Sequence, residues 1–445
     1  MYGIGLGIGG FGALLILISL RFPIALAMLL VGGIGHILLE PSASVFNRFY
    51  SDPYYIFSSH YLAVIPLFLL MGQFAFHGGM SRSLFNFVKT LLGERRLGTA
   101  TIGACAIFGS ICGSSLATVA TMSKVAIPEM LRHNYSKPLT AGIIAAGGTL
   151  GTLIPPSIVL IIYSVLTEQN LAKMFLAALV PGIIAMIGYM LAAQIGGRLY
   201  SSRTSPIRNS NPAQGPGDIP SDIPNDIKGS ISIILILIVA IGGIYTGLFT
   251  PTEGASIGCV LTAGLALFNK QLNKTKLVTA LQETAVTSGM IYMILLGASF
   301  FSSFLALSQL PTEIAAWIAD SAFNPYLVLL IILAIYLALG CMMDTIAMLI
   351  LTLPIFFPII QVLDFGLSPE ETALWFGVLA LITVEIGLIT PPLGLNIFVI
   401  TSLHKNITAR DCYIGVIPFL ISDILRIVIL IAIPSITLLA VKQFG

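Results

Sequence analysis

Charged residues are scarce in this 445-residue chain, where Asp, Glu, Lys and Arg together make up only 9% of the sequence. A soluble globular protein carries about 25% charged residues, so this composition excludes that class. Hydrophobic residues make up 57% of the chain, and the mean hydropathy is +0.99. The sequence therefore predicts an integral membrane protein that is embedded in the lipid bilayer and has no nucleic-acid partner.

Several motifs that would indicate other functions are also missing. The five cysteines form no CxxC pair and the five histidines show no ligand spacing, so we expect neither a disulfide framework nor a transition-metal site. There is no Walker A loop, which excludes ATP as a directly bound energy source. The N-terminus has no basic region and no small-residue cleavage site, so residues 3–20 are predicted to be a retained span. We expect no enzymatic activity and no organic cofactor.

Apolar runs of about 20 residues, long enough to cross roughly 30 Å of hydrocarbon, recur along the chain. They are predicted at 3–20, 22–39, 61–77, 139–163, 174–197, 230–249, 252–268, 284–308, 373–401 and 413–440. Two further apolar regions, 99–127 and 325–359, are too long for one span, and small or polar residues interrupt each of them. Their arms of roughly 13 to 15 residues would reach only about 20 Å. Both regions are therefore predicted to be re-entrant hairpins.

The distribution of positive charge supports this topology. Basic residues lie on both sides of the first hairpin, Arg95 and Arg96 before it and Arg132 and Lys137 after it. If that side is cytoplasmic, almost all of the 21 Lys and Arg residues lie inside, and the exceptions are Arg48, Lys173, Arg426 and Lys442. This is the positive-inside bias of a membrane protein. The same topology places both termini outside.

A stretch rich in Ser, Pro, Asn and Gly at 201–229 cannot form a core, so it is predicted to be a flexible cytoplasmic linker. It separates a first half, 1–200, from a second half, 230–445, and each half has five spans and one hairpin. Because five crossings is an odd number, the second half must be inverted relative to the first. Inverted repeats are typical of secondary transporters, whose binding site lies at the repeat interface near the midplane.

The repeat is also visible in a motif. The pattern G-x-x-x-P-P occurs at 151–156 and again at 387–392, and each copy follows a hairpin, with tips at 109–118 and 339–348. Adjacent prolines break a helix because they donate no backbone hydrogen bonds, and free carbonyls at membrane depth need a protein or cavity environment. Chance recurrence is the alternative, since Gly and Pro are common in membrane helices. The matching position in both halves argues against it.

Broken helices carry groups that suit both a cation and an anion. Helix N-termini present unpaired N–H groups to a carboxylate, whereas unwound carbonyls and hydroxyls are oxygen ligands for sodium. The first half offers carbonyls around Gly151, Ile154 and Pro156 beside Ser114 and Ser115. The second half offers Gly387, Thr390 and Leu393 beside 340–345. This pattern predicts two cation sites flanking an anionic solute.

Five ordered segments, 65–81, 107–130, 147–164, 340–359 and 382–400, together resemble the large membrane subunit of tripartite ATP-independent periplasmic (TRAP) transporters. The resemblance covers nearly the whole chain, although the linker is long for the family. It implies an all-α, elevator-type fold of the ion-transporter superfamily. It also implies sodium-coupled uptake of a small organic acid, such as a C4-dicarboxylate, a sialic acid or a keto acid, across the bacterial inner membrane.

The resemblance further implies partners and site residues. The partners would be a soluble periplasmic binding protein and a small four-helix membrane subunit, expected as a separate chain because no such segment precedes Gly3. Carried over by motif, one sodium site would use Ser114, Ser115, Gly151, Ile154 and Pro156, and the other Gly340, Gly387, Thr390 and Leu393. The substrate is expected to contact Ser110, Gly113, Thr118, Asp344, Thr345 and Asn396.

The ionisable residues within apolar segments have alternative roles. Asp344 and Glu385 are candidates for the ion path, but Asp344 could instead cap a helix and Glu385 could be a hydrogen-bonded structural carboxylate. Asp423 and Arg426 are three residues apart and are predicted to pair. Residues 79–92 are predicted to form an interfacial amphipathic arm.

Alternating access would require the hairpins and broken spans (99–163 and 325–401) to slide against a scaffold of the remaining spans, with flexing at Gly78, Gly79 and Gly93. A stand-alone sodium- or proton-coupled carboxylate carrier, needing no binding protein, remains an alternative. The hairpins and the repeated breaks count against a channel or a non-transporting scaffold, because a scaffold needs no irregular backbone at membrane depth.

Overall fold

The computed structural model describes residues 2–40, 42–93, 96–201, 223–321 and 323–444, and within these ranges it contains α-helices and no β-strand. The helices are α1 Tyr2–Ser19, α2 Ile24–Leu39, α3 Ser42–Phe57, α4 Val64–His77, α5 Met80–Leu92, α6 Leu97–Cys112, α7 Ser115–Arg132, α8 Lys137–Leu153, α9 Ile158–Leu166, α10 Leu171–Ser201, α11 Ile223–Tyr245, α12 Pro251–Phe268, α13 Lys274–Ser308, α14 Leu310–Asp320, α15 Pro325–Gly340, α16 Thr345–Val362, α17 Pro369–Gly387, α18 Leu395–Leu403, α19 Ala409–Ala432 and α20 Ser435–Phe444. The predicted linker lies largely outside the described residues, at 202–222.

The chain is an all-α, multi-pass membrane protein. Six described helices, α1, α10, α12, α13, α16 and α19, are each long and apolar enough to cross a bilayer. Two further pairs meet the same criterion together, α8 with α9 at a bend of 43° and α4 with α5 at a bend of 70°. A helix satisfies its backbone hydrogen bonds internally, which is the requirement that lipid imposes on any spanning segment.

The first predicted hairpin corresponds to α6 and α7, which run antiparallel. The backbone N–H of Gly98, at the start of α6, donates to the Tyr135 hydroxyl just beyond α7, at 3.1 Å. Thr101 and Met130, at the same ends of the two helices, are also in contact. The turn between them consists of Gly113 and Ser114. The arms are 16 and 18 residues long, longer than predicted.

The second hairpin, formed by α15 and α16, has the same arrangement. The Thr352 hydroxyl of α16 donates to the Tyr336 hydroxyl of α15 at 3.1 Å. At the open end, the rings of Tyr326 and Phe365 pack edge to face with their centroids 5.6 Å apart. The two helices are joined at 341–344, so its tip lies beside Asp344.

Each hairpin is followed by a helix that is interrupted at a Pro-Pro pair. Helix α8 ends at Leu153 and α9 begins at Ile158, whereas α17 ends at Gly387 and α18 begins at Leu395. The Pro155–Pro156 and Pro391–Pro392 peptide bonds, one in each break, are both cis. Both interrupted helices were predicted from the G-x-x-x-P-P pattern.

The helix contacts divide the structure into two groups, with α5 and α14 packing on helices of both. The first, here called the frame, contains α1–α5 and α11–α14; the second, here called the core, contains α6–α10 and α15–α20. The core includes α10 and α19, which pack on α8 and α17. The predicted scaffold included these two spans, whereas in the structure they are buried against the broken helices. The predicted span 413–440 is also interrupted, since α19 ends before Pro434.

Candidate transport site

The tips of the two hairpins meet at one buried carboxylate, Glu385 of α17. The Ser115 hydroxyl, on the first residue of α7, is hydrogen-bonded to Glu385 Oε2. The Thr345 hydroxyl, on the first residue of α16, donates to Glu385 Oε1 at 3.0 Å. Glu385 is only 3% exposed. A single side chain therefore joins α7, α16 and α17.

The first broken helix reaches the same cluster through Thr152. Its Oγ1 lies 3.0 Å from Ser115 Oγ and is also 3.0 Å from the Thr149 carbonyl oxygen, to which it donates. Four helices, α7, α8, α16 and α17, thus contribute hydroxyl or carboxylate oxygens to one buried group. Sequence reasoning singled out Glu385 but missed Thr152, whose only signal is its position next to Gly151.

A cavity of about 80 Å³ lies next to this cluster. Its lining from the core comprises Gly113, Ser114, Ser115, Leu116, Thr152, Ile158, Val159, Asp344, Thr345, Ile346 and Leu388, and its lining from the frame comprises Leu69, Thr287 and Ile291. Five predicted site residues are brought together here, namely Gly113, Ser114, Ser115, Asp344 and Thr345. The frame residues were missed, because apolar side chains and one threonine in a span carry no distinguishing signal.

Two helices begin at this cavity, and each is capped by a residue of the tip. Ser114 Oγ accepts a hydrogen bond from the backbone N–H of Ala117 at 3.4 Å, and Asp344 Oδ2 accepts one from Ile346 at 3.2 Å. The N-terminal ends of α7 and α16 carry partial positive charge, which favours an anion. The carboxyl groups of Asp344 and Glu385 favour a cation instead. The cavity therefore suits an anion together with cations.

The hairpins approach the broken helices through paired glycines. A Cβ on Gly151 would lie 2.9 Å from Gly109 Cα and 2.7 Å from Thr118 Oγ1. A Cβ on Gly387 would lie 2.5 Å from the carbonyl carbon of Gly340. No side chain fits at either contact, so these glycines allow the tips to sit against the breaks.

The remaining predicted sodium ligands lie in the breaks. The Ile154 backbone N–H bonds to the Leu150 carbonyl at 2.9 Å, and the Thr390 hydroxyl bonds to the Ile386 carbonyl at 2.6 Å. The Leu393 carbonyl accepts a hydrogen bond from the Tyr413 hydroxyl at 3.1 Å. Pro156 is buried within the first break. A carbonyl oxygen has two lone pairs, so a single hydrogen bond leaves one for a cation.

Three predicted substrate residues do not line the cavity. The Ser110 hydroxyl donates to the Ile107 carbonyl at 2.8 Å, and the Thr118 hydroxyl donates to the Ser114 carbonyl at 2.8 Å. Asn396 Nδ2 of α18 donates to the Ala145 carbonyl of α8 at 3.2 Å. In this structure these side chains bond to the backbone of the core.

A second buried polar group lies deeper in the core. Arg426 Nη2 is 2.7 Å from Asp423 Oδ1, which confirms the predicted pairing on α19. The Tyr189 hydroxyl donates to Asp423 at 2.8 Å and lies 3.1 Å from the Thr149 hydroxyl. Since Thr152 donates to the Thr149 carbonyl, this ion pair is linked to the cluster around Glu385 through hydrogen-bonded residues of α8.

Two helical hairpins whose tips meet interrupted helices at a buried carboxylate are features typical of membrane transport proteins. Residues 11–436 match the family described as "Tripartite ATP-independent periplasmic transporter, DctM component". The chain belongs to this family and is the large permease component of a tripartite transporter, not an enzyme.

Named relatives agree with this assignment. The chain is 33% identical over 395 residues to the C4-dicarboxylate TRAP transporter large permease protein DctM of Pseudomonas aeruginosa, covering 87% of this chain and 88% of the relative. It is 30% identical over 385 residues to the sialic acid TRAP transporter permease protein SiaT of Haemophilus influenzae, covering 86% of this chain and 60% of the relative.

A solved structure shares the fold. The YdaH transporter of Alcanivorax borkumensis superposes with a TM-score of 0.67, covering 92% of this chain and 96% of that chain at 14% sequence identity. At this identity the likeness concerns the fold alone. The all-α transporter fold expected from the sequence is confirmed.

Proposed function

We propose that this chain is a sodium-coupled secondary active carrier that takes up a small organic acid across the bacterial inner membrane. The observation that carries the proposal is the cavity at which both hairpin tips meet the broken helices beside Glu385. The hairpin tips and α8 bring hydroxyl and carboxyl groups of Ser114, Ser115, Thr152, Asp344 and Thr345 to the otherwise apolar lining of this cavity, and oxygen atoms are the ligands that suit sodium.

Electrostatics gives a physical reason for coupling. Asp344 lines the cavity and Glu385 lies beside it, so an incoming carboxylate would meet like charge in a medium of low dielectric constant. Sodium ions bound at the two tips would offset this repulsion, while the N-termini of α7 and α16 would bind the carboxylate oxygens. Substrate and sodium would therefore bind together far better than either would alone.

The names of two relatives support an organic acid as the solute. Relatives are named for C4-dicarboxylate and for sialic acid, both of them organic acids. We assign this chain the same substrate class.

The proposed movement is an elevator in which the core slides against the frame, because the cavity has walls from both groups. Under the inverted-repeat topology, both termini lie in the periplasm and the linker in the cytoplasm. The substrate would be delivered by a soluble periplasmic binding protein, and a small membrane subunit would hold the frame. These partners follow from membership in a tripartite family.

The test is uptake by the chain reconstituted into proteoliposomes with its small membrane subunit and binding protein. Radiolabelled succinate and N-acetylneuraminate represent the two substrate classes named for relatives. We expect uptake of an organic acid to require an inward sodium gradient and the binding protein. Full uptake with a proton gradient in sodium-free buffer would overturn sodium coupling. Undiminished uptake without the partners would favour a stand-alone carrier.

A further inference from the structure

Glu385 is placed so that it contacts both halves of the site at once. Its two carboxylate oxygens are divided between the tips, Oε2 bonding to Ser115 and Oε1 bonding to Thr345. These partners are 270 and 40 positions away in the chain. Ser115 and Thr345 are the first residues of α7 and α16, so each lies next to the capping residue of its tip.

The two hydrogen bonds determine how the hydroxyls face the proposed sodium sites. A hydroxyl has one proton and two lone pairs, so a proton donated to Glu385 directs the lone pairs away from the carboxylate. Hydroxyls that donate to a carboxylate are also stronger cation ligands, because the negative charge polarises the O–H bond. Partners that orient and polarise metal ligands change metal affinity about 10- to 100-fold when they are removed.

We propose that Glu385 couples the two sodium sites, so that sodium bound at one hairpin tip favours sodium binding at the other. The proposal rests on the proposed function, since it requires both sites. Sodium near Ser115 would fix the orientation of that hydroxyl and of the carboxylate to which it donates. A fixed carboxylate then holds Thr345, and with it the start of α16, in the position that binds the second ion.

A purely structural carboxylate makes a different prediction. If Glu385 only held α17 against the tips, its removal would lower stability without changing how one sodium ion affects the other. Coupling between two binding sites has its own free energy. Occupation of one site commonly changes the affinity of the other by a factor of about 5 to 150. The shape of the sodium binding curve therefore separates the two roles.

The experiment measures equilibrium binding of ²²Na⁺ to the full-length chain in lipid nanodiscs at constant ionic strength. Glu385→Gln keeps the shape of the side chain and one carbonyl oxygen but removes the charge. The matched control is Thr383→Val on the same helix, because the Thr383 hydroxyl donates to the Leu379 carbonyl of its own helix at 2.8 Å. Size-exclusion profiles and circular dichroism establish that each variant is folded.

We expect the wild type to bind two sodium ions with a Hill coefficient clearly above about 1, for which two sites set an upper limit of about 2. Glu385→Gln should lower the Hill coefficient to about 1 and raise the half-saturating sodium concentration at least about tenfold. Thr383→Val should bind sodium as the wild type does. A folded Glu385→Gln protein with the Hill coefficient of the wild type would overturn the coupling.

A second variant covers the case in which Glu385→Gln does not fold. Thr345→Val removes the hydroxyl that joins the second tip to Glu385, and it should lower the Hill coefficient to about 1 and weaken sodium binding at the second tip. An unchanged Hill coefficient would overturn the proposal. A wild-type chain that binds no sodium would instead refute the proposed function itself, so the two failures are distinguishable.

Discussion

Asp344 combines two roles in one side chain. It caps α16 by accepting a hydrogen bond from the Ile346 N–H, and it lines the cavity that the hairpin tips share. The sequence left these roles as alternatives, whereas the structure shows that they are compatible. The charge of the side chain distinguishes the two roles. A helix cap needs only an oxygen that accepts a hydrogen bond, whereas a cation site uses the negative charge of the carboxylate.

Replacing Asp344 with Asn tests the charge separately from the cap. Asn is about as good a helix cap as Asp, so we expect the unfolding free energy to change by less than about 0.5 kcal/mol. Uptake should fall at least about tenfold, because one charge-assisted cation contact is lost. Asp344→Ala is the comparison variant and should also lose about 1 kcal/mol with the cap. Uptake at the wild-type level in Asp344→Asn would assign Asp344 to capping alone.

The buried pair on α19 leads to a prediction about stability. Asp423 and Arg426 are 1% and 5% exposed, so removing one partner leaves the other charge buried without an opposite charge beside it. We expect Arg426→Met to cost about 3–5 kcal/mol and the double variant Asp423→Asn, Arg426→Met to recover much of that loss. Thermal unfolding in detergent measures both. A single variant as stable as the wild type would show that the pair contributes little.

At the scale of single residues, the sequence allowed the prediction of those site residues that belong to a recognisable local motif. Glycines, prolines and hydroxyls at the tips and breaks are visible in the motif, and several of them line the cavity. The contacts of Glu385 could not be predicted, because its partners are distant in sequence. The presence of Leu69, Thr287 and Ile291 in the cavity lining could not be predicted either, since nothing distinguishes them from other residues of an apolar span.

Among the elements, the arm α5 is the helix at whose ends we expect the backbone to flex. It is joined to α4 at a bend of 70°, and glycines with left-handed backbone, Gly79 and Gly93, flank it. Its Lys89 pairs with Glu129 of α7, so the arm connects the frame to the first hairpin. A core that slides against the frame would require the backbone at Gly93 to change conformation.

Replacing Gly93 with Ala tests this hinge. Gly93 has a φ of +79°, and no atom would crowd a Cβ there, so the cost is confined to the backbone and is about 1–3 kcal/mol. Gly247 is a control, because its φ is also positive at +72° and its Cβ position is equally open, but it lies between α11 and α12. We expect each Ala variant to lose stability in thermal unfolding, and only Gly93→Ala to slow uptake. Equal uptake rates in the two variants would rule out Gly93 as a hinge.

Helix positions were largely predictable, because length and hydropathy mark a span and Pro-Pro pairs mark a break. The residues at which helices end were less predictable. Pro434 interrupts the last span after Ala432, although hydropathy continues across it. The packing of α10 and α19 on the broken helices was not predicted, since a span carries no signal in its own sequence for which neighbour it packs against.

At the scale of the whole molecule, both predicted tips and the frame contribute residues to the lining of the cavity. Thr287 and Ile291 belong to α13, whereas Ile346 and Leu388 belong to the core. An elevator changes distances between these two groups and preserves distances within the core. Pairs of residues on this cavity therefore distinguish relative sliding from a rigid assembly.

A cross-linking experiment applies this distinction. In a background with all five native cysteines replaced, Thr287→Cys with Ile346→Cys joins the frame to the core, and Leu388→Cys with Ile346→Cys joins two positions within the core. Both pairs place a short bis-methanethiosulfonate spacer in the same cavity, so any blockage by the spacer is common to both. We expect the frame–core cross-link to abolish uptake and reduction to restore it, because sliding is prevented. The core–core cross-link should leave much more uptake. Substantial uptake by the protein with the frame–core cross-link, equal to that of the core–core protein, would contradict the elevator movement.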